Sequence, residues 1–253
     1  LQSEFGQTLG SKGVHILDPF TGTGTFITRL LQSGLLKSEE LEHKYKNEIH
    51  ANEIVLLAYY IAAINIEAVY HDLAKENSGE KEVSYAPFDG IVLTDTFQLY
   101  EQDKDMIADL LPDNSERRTA QKERDIQVIV GNPPYSSAQS DDPNEKKIGY
   151  SNLDSRIADS YALRSTAVNK NVLYESYIRA IRWATDRIGP SGVFAFVSNA
   201  GWVEGNSMDG IRKCLAEDFS SLYVYHLRGN QRTKGERSKR EGGKIFGSGS
   251  RSP

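Results

Sequence analysis

Asn132-Pro133-Pro134-Tyr135 follows the apolar run Val128-Ile129-Val130 and brings an amide acceptor, a stiff backbone and an aromatic face to one strand end. The side-chain oxygen of Asn132 and the carbonyl of Pro133 can both accept from an exocyclic N–H. The lone pair of such an amino group on a heteroaromatic ring is delocalised, so the nitrogen is a poor nucleophile. Two acceptors draw it toward tetrahedral geometry and localise that pair. Proline has no backbone N–H and a fixed φ, so the carbonyl is held rigidly. Tyr135 offers a ring for stacking, worth ~1–3 kcal/mol per base in nucleic-acid complexes. The plain alternative is a proline-rich turn with Tyr135 as a partly buried aromatic.

A second strand-end signal lies upstream in Asp18-Pro19-Phe20-Thr21-Gly22-Thr23-Gly24-Thr25. Gly22 and Gly24 allow a sharp turn and close approach of a ligand to the backbone. Asp18 can bind the amino group of a cationic ligand, and Glu53, after the second strand, can accept from two ribose hydroxyls, the general logic of nucleoside-cofactor sites. The alternatives are an ordinary βα turn and, for Glu53, an acid favoured by a helix dipole. Asp95, in Thr94-Asp95-Thr96-Phe97, is either an acceptor for an adenine amino group or a capping aspartate. There is no Gly-Lys-Ser/Thr of a phosphate-binding loop, and a nicotinamide cofactor leaves the proline tetrad unexplained. The combination fits methyl transfer from a sulfonium donor to an amino nitrogen, chemistry that rests on alignment more than on acid–base groups. No thiol is needed for it, and Cys214 falls in a predicted helix. His15, His43, His50, His71 and His226 show no metal-ligand spacing, so no metal is expected.

These groups require strands alternating with helices, a doubly wound α/β sheet. Strands are predicted at 14–17, 49–51, 90–94, 127–130, 192–198 and 221–227, the fifth of them buried. Helices are predicted at 25–36, 54–70, 173–188 and 211–219. Residues 136–170 are polar and read as an irregular substrate-side loop. The charged runs 101–105 and 116–125 read as solvated faces.

The chain has 253 residues and a net charge of −5, enough for one large domain and no global attraction to nucleic acid. Between Arg228 and Arg251, however, eight Lys/Arg stand against Glu236 and Glu241. This Gly/Ser-containing segment, 228–253, reads either as a phosphate-contacting arm or as a solvated, flexible tail. No run is apolar enough for a membrane span, the start lacks a signal-peptide pattern, and one cysteine fits a reducing cytoplasm. The abrupt ends suggest a fragment of a longer polypeptide.

Asp-Pro-Phe-x-Gly-x-Gly followed by Asn-Pro-Pro-Tyr resembles the gamma-class methyltransferases that modify adenine at N6 in DNA. The stretches 16–26, 128–136, 169–171 with 174–187, and 194–202 are similar to the methylase portion of type ISP single-polypeptide restriction–modification enzymes, which join helicase, nuclease and methylase. The resemblance covers nearly the whole chain. It implies a prokaryotic, Rossmann-like class I S-adenosylmethionine-dependent fold as a single catalytic domain, here without the first pocket segment and the last strand. It implies that Asp18, Pro19, Phe20, Thr21, Gly22 and Gly24 bind the donor, that Glu53 holds its ribose, and that Asp95 and Thr96 lie near its adenine rather than at the target base. Asn132, Pro133, Pro134 and Tyr135 are implied to be catalytic, with Phe246 stacking on the target base opposite Tyr135. The implied partners are double-stranded DNA, reached through a recognition domain of the parent protein with the base flipped out, and the helicase and nuclease domains. Two other readings stay open: methylation of a glutamine amide in protein, served by the same tetrad, and a structural block with an incomplete donor site.

Overall fold

The computed structural model describes residues 1–79, 83–101, 110–135 and 149–226. Its centre is a five-stranded sheet in the order β3-β2-β1-β4-β5, with β1 His15–Asp18, β2 Ile49–Glu53, β3 Ile91–Leu93, β4 Ile126–Gly131 and β5 Val193–Phe196. Every pairing is parallel; β1 sets Ile16 against Ile49 of β2 and Val128 of β4. Ile16, Leu17, Ile49, Ile126 and Ile129 are almost wholly buried, as expected of parallel strands covered on both faces. The order reverses between β1 and β4, and in open α/β sheets ligands bind beyond the strand carboxyl ends at such a switch point. The doubly wound expectation therefore holds.

The chain divides into two compact units, Leu1–Asn132 with Ala184–Phe196, and Pro133–Trp183 with Val197–Pro253. The first holds the whole sheet. Helix α1 (Thr25–Gln32) follows β1 and stops before Gly34, whose φ of 73° breaks the helix. Helix α2 (Ser38–His43) leads through a π turn, Lys44–Glu48, into β2. Lys44 is fully buried there; its ammonium donates to the carbonyls of Ser11 (2.6 Å) and Val14 (2.7 Å) and pairs with Glu48 at 2.6 Å. A charge out of water is tolerable only when so paired, and this one ties the chain entering β1 to the chain entering β2. Helix α3 (Leu56–Ser78) runs two turns past the predicted end at Tyr70, because Leu73 and Ala74 still pack on the core, and it closes at Gly79 with φ 68°. Ile27, Leu31, Ala62, Ile66, Tyr70 and Phe88 form that core with Tyr45, which stacks on Tyr70 at 3.6 Å. The charged run 116–125 lies mostly in helix α4 (Pro112–Glu123), with Pro112 in its first turn and Asn114 buried against Leu93.

The second unit is mainly helical: α5 (Ser151–Ile157), α6 (Ser176–Arg187, shared with the first unit) and α7 (Asp209–Asp218). Its buried residues include Leu153, Ile157, Tyr161, Ile178, Ile211 and Leu215. Arg182 is buried under Tyr161 and bonds Asp218 at 3.2 Å.

Three expectations change. The 136–170 stretch is not irregular throughout: 151–162 is helical, with Leu153, Ile157 and Tyr161 buried at a four-residue spacing. The fifth strand is half-exposed, with Ala195 open to solvent, because β5 is an edge of the described sheet. No sixth strand forms over 221–226; without a ladder partner among the described residues, Tyr223 and Tyr225 stand exposed. Leu227, the 228–253 segment and Phe246 lie outside the described residues.

Candidate functional site at the switch point

The turn after β1 is fixed by Gly22 and Gly24, with φ of 56° and 88°. At Gly24 a Cβ would also come within 3.2 Å of the Ile66 side chain, so the turn sits down on α3. Gly24→Ala is expected to lower stability by about 1–2 kcal/mol through the left-handed backbone and this contact, read as a lower urea midpoint. The amide of Gly22 donates to Glu53 Oε2 at 2.7 Å, and that of Val55 donates to Oε1 at 2.8 Å. Each oxygen keeps acceptor capacity, so Glu53 is oriented yet able to take hydroxyl donors.

Asp18, at the end of β1, is 1% exposed. Its Oδ1 accepts from the Phe20 amide at 3.1 Å, while Oδ2 is buried with no hydrogen-bond partner. Burial pushes the carboxyl up to about 7, helped by the nearby charge of Glu53 and opposed by the Phe20 hydrogen bond. A buried, half-satisfied acid at this place suits a cationic partner. Gly131, closing β4, explains how the two strand ends meet: a Cβ there would stand 3.0 Å from Asp18 Oδ1.

The neighbouring loops are stitched to this turn. Thr21 bonds the Asp18 carbonyl at 2.9 Å and takes the Asn52 carbonyl on its amide at 3.0 Å. Thr96 Oγ1 donates to the Pro19 carbonyl at 2.6 Å and accepts from Asn52 Nδ2 at 3.3 Å. Asn52 is fully buried and its Oδ1 has no partner. The sequence reading missed Asn52; the signal was an amide inside an otherwise sealed strand. Phe20 packs edge-on to Phe97 and tilted against Phe196, with ring centroids 5.5 and 6.1 Å apart. Asp95 Oδ1 accepts from the Phe97 amide at 2.9 Å, a local turn that leads into the short helical turn Phe97–Tyr100.

Asp18, Pro19, Phe20, Thr21, Gly22, Gly24, Glu53 and Thr96 thus meet at one end of the sheet. Asn132 follows β4 directly at that end and is exposed. In the second unit Pro133 is buried and Pro134 exposed, and the Tyr135 hydroxyl donates to the Val197 carbonyl at 2.8 Å. Burial raises the phenol, so Tyr135 is neutral at ordinary pH. Cys214 is a buried free thiol in α7, raised by burial. Among the described residues no group of three His, Cys, Asp or Glu could hold a metal, and no helix is long and apolar enough to cross a membrane.

No protein-family model and no curated protein matches the chain. Solved structures do. The nuclease-deletion mutant of the Type ISP restriction-modification enzyme LlaGI, in complex with a DNA substrate mimic, matches the whole chain at 50% identity and TM-score 0.89, over 21% of its own length. DrdV, solved as a DNA complex, matches the whole chain at 42% identity and TM-score 0.87, over 24% of its length. The ATP-dependent Type ISP enzyme LlaBIII bound to DNA matches 94% of the chain at 46% identity and TM-score 0.85, over 16% of its length.

Fold and site together define a doubly wound α/β protein whose switch-point strand ends carry the glycine turn after β1 and the oriented carboxylate of Glu53. Within that class the chain belongs to the Type ISP restriction–modification family, and it spans about a fifth of the relatives it matches.

Proposed function

We propose that the chain transfers a methyl group from S-adenosylmethionine to the N6 amino group of adenine in DNA, as the methylase portion of a restriction–modification protein. The carrying observation is the convergence of the Asp18–Gly24 turn, Glu53 and the start of the Asn132–Tyr135 tetrad at one switch point. The residues present fit the donor. The unpartnered oxygen of buried Asp18 faces its ammonium, Glu53 takes its ribose hydroxyls, and Thr96 and Asp95 flank its adenine with Phe20 as apolar packing. When bound, the donor supplies a sulfonium methyl whose leaving group needs no protonation.

The chain's own residues then do the rest. Asn132 Oδ1 and the Pro133 carbonyl accept the two amino hydrogens and localise the lone pair. Tyr135, its ring fixed through the Val197 carbonyl, stacks on the flipped base. The proton on nitrogen leaves after transfer. Phe246 is assigned to the other face of the base, and recognition, helicase and nuclease domains are the partners within the parent protein. That the relatives were solved with DNA favours a base over a glutamine amide as the acceptor.

The test is incorporation of labelled methyl into duplex DNA against a glutamine-containing protein substrate; label in protein alone would reject adenine as the acceptor. Tyr135→Phe, which keeps the ring and loses the bond to Val197, is expected to cost about tenfold in rate. Tyr135→Ala, which loses the stacking face, should cost about a hundredfold. Equal losses would mean that the hydroxyl, not the ring, carries the role.

A further inference from the structure

From Ile54 to Ile66 the chain carries no charged residue. Its inner face is accounted for: Ala62 and Ile66 are buried in the core. The outer face is not. Leu57 is 70% exposed, Ile64 64%, and Tyr60 and Ile61 are also open, as are Ile54, Val55 and Leu56 just before them. Within α3, positions 57, 60, 61 and 64 follow the i, i+3, i+4, i+7 spacing, so they form a single stripe. Single exposed apolar side chains are ordinary, but a contiguous row of large ones marks an interaction surface. From Leu56 to Ile66 the helix is apolar on opposite sides, the pattern of a helix packed on both.

We infer that the Leu57–Ile64 stripe is a docking surface for an aliphatic helix tethered to this segment in one polypeptide. The chemistry of the occupant follows from the surface. A stripe without charge offers nothing to phosphates, which disfavours nucleic acid as the partner, and its ridge spacing receives the side-chain ridges of a second helix. The tether follows from size. A stable interface between separate proteins takes roughly 20–30 residues a side, and the seven exposed apolar residues here fall far short, so a second copy would not be held. A tethered partner needs less area, because linkage supplies a high effective concentration. The relatives bear on the same point: the matched segment is only 21% of the LlaGI chain and 16% of the LlaBIII chain, so most of each polypeptide lies outside it.

Thiols introduced by Leu57→Cys and Ile64→Cys, each alone, report on the stripe, with the 253-residue chain compared with a Type ISP polypeptide carrying the same segment. Labelling by a maleimide should be at least about tenfold slower in the longer polypeptide, as for a site opened only by local fluctuation. A photo-crosslinker placed at Tyr60 should join the stripe to residues outside the segment in the same molecule. Equal labelling rates in the two contexts would overturn the inference. So would protection in the 253-residue chain that grows with its concentration, which would identify a second copy, or protection by lipid vesicles alone. Tyr60→Phe at the neighbouring position serves as the folding control.

Discussion

Asn132→Ala is expected to lower methyl incorporation into duplex DNA by about a thousandfold, while the affinity for S-adenosylmethionine changes by less than about threefold. The asymmetry follows from where Asn132 sits. Donor contacts are assigned to the turn after β1, to the end of β2 and to the loop after β3, and Asn132 belongs to none of them. In the proposed reaction its oxygen matters most as the nitrogen of the arriving amino group turns tetrahedral. An interaction made mainly in the transition state lowers kcat without raising KM. Alanine leaves the backbone untouched, and the side chain is exposed, so any fall in melting temperature should be small beside the loss of rate. Asn132→Asp is the sharper variant, since a carboxylate still accepts hydrogen bonds. Full activity in the alanine variant would remove the tetrad from the chemistry and return it to being a proline-rich turn.

How much of this was legible in the sequence depends on what kind of force sets each element. Strands β1 and β4 are short apolar runs closed by turn residues, and such runs declare themselves, whereas β2 carries His50, Asn52 and Glu53 and shows only Ile49 and Ala51 as apolar signal. The switch-point residues were legible for the same reason: they are the residues that end those runs. Helix α5 was not, because polar residues separate Leu153, Ile157 and Tyr161, and their common face appears only once they are buried together. Lys44 reads as a surface charge within His43-Lys44-Tyr45-Lys46. Its burial depends on two carbonyls and Glu48, and two of those partners lie more than 25 residues away. The fifth strand misled in the opposite direction. Val193-Phe194-Ala195-Phe196 is apolar throughout and reads as sealed on both faces, but position in the sheet, not composition, sets exposure, and β5 lies at an edge. Asp95 shows a third case, where a residue type suited to ligand contact also suits a local turn through its own side chain.

Asp18→Asn should separate stability from donor binding, in opposite directions and with a pH signature. The carboxyl is held near 7 in the folded chain, far above its ordinary value, chiefly by burial. Below about pH 4 the group is protonated in folded and unfolded chains alike and contributes nothing. As pH rises from 4 to 7 the unfolded chain gives up its proton while the folded chain keeps it, so wild-type stability falls across that window. Asparagine does not titrate, so the variant should gain on wild type through the same window, by up to about 4 kcal/mol at pH 8. Urea denaturation at pH 4, 6 and 8 measures this, and a constant difference would show that Asp18 is not titrating. Donor binding runs the other way. A ligand ammonium beside Oδ2 favours the ionised acid, so at pH 6 binding to wild type should release about one proton, seen in calorimetry as a heat that depends on the buffer's ionisation enthalpy. Binding to wild type should therefore tighten as pH rises to 7, whereas the variant should bind at least about tenfold more weakly at pH 8, without proton release. A variant that is both more stable and as tightly bound would leave the buried acid without a role in holding the donor.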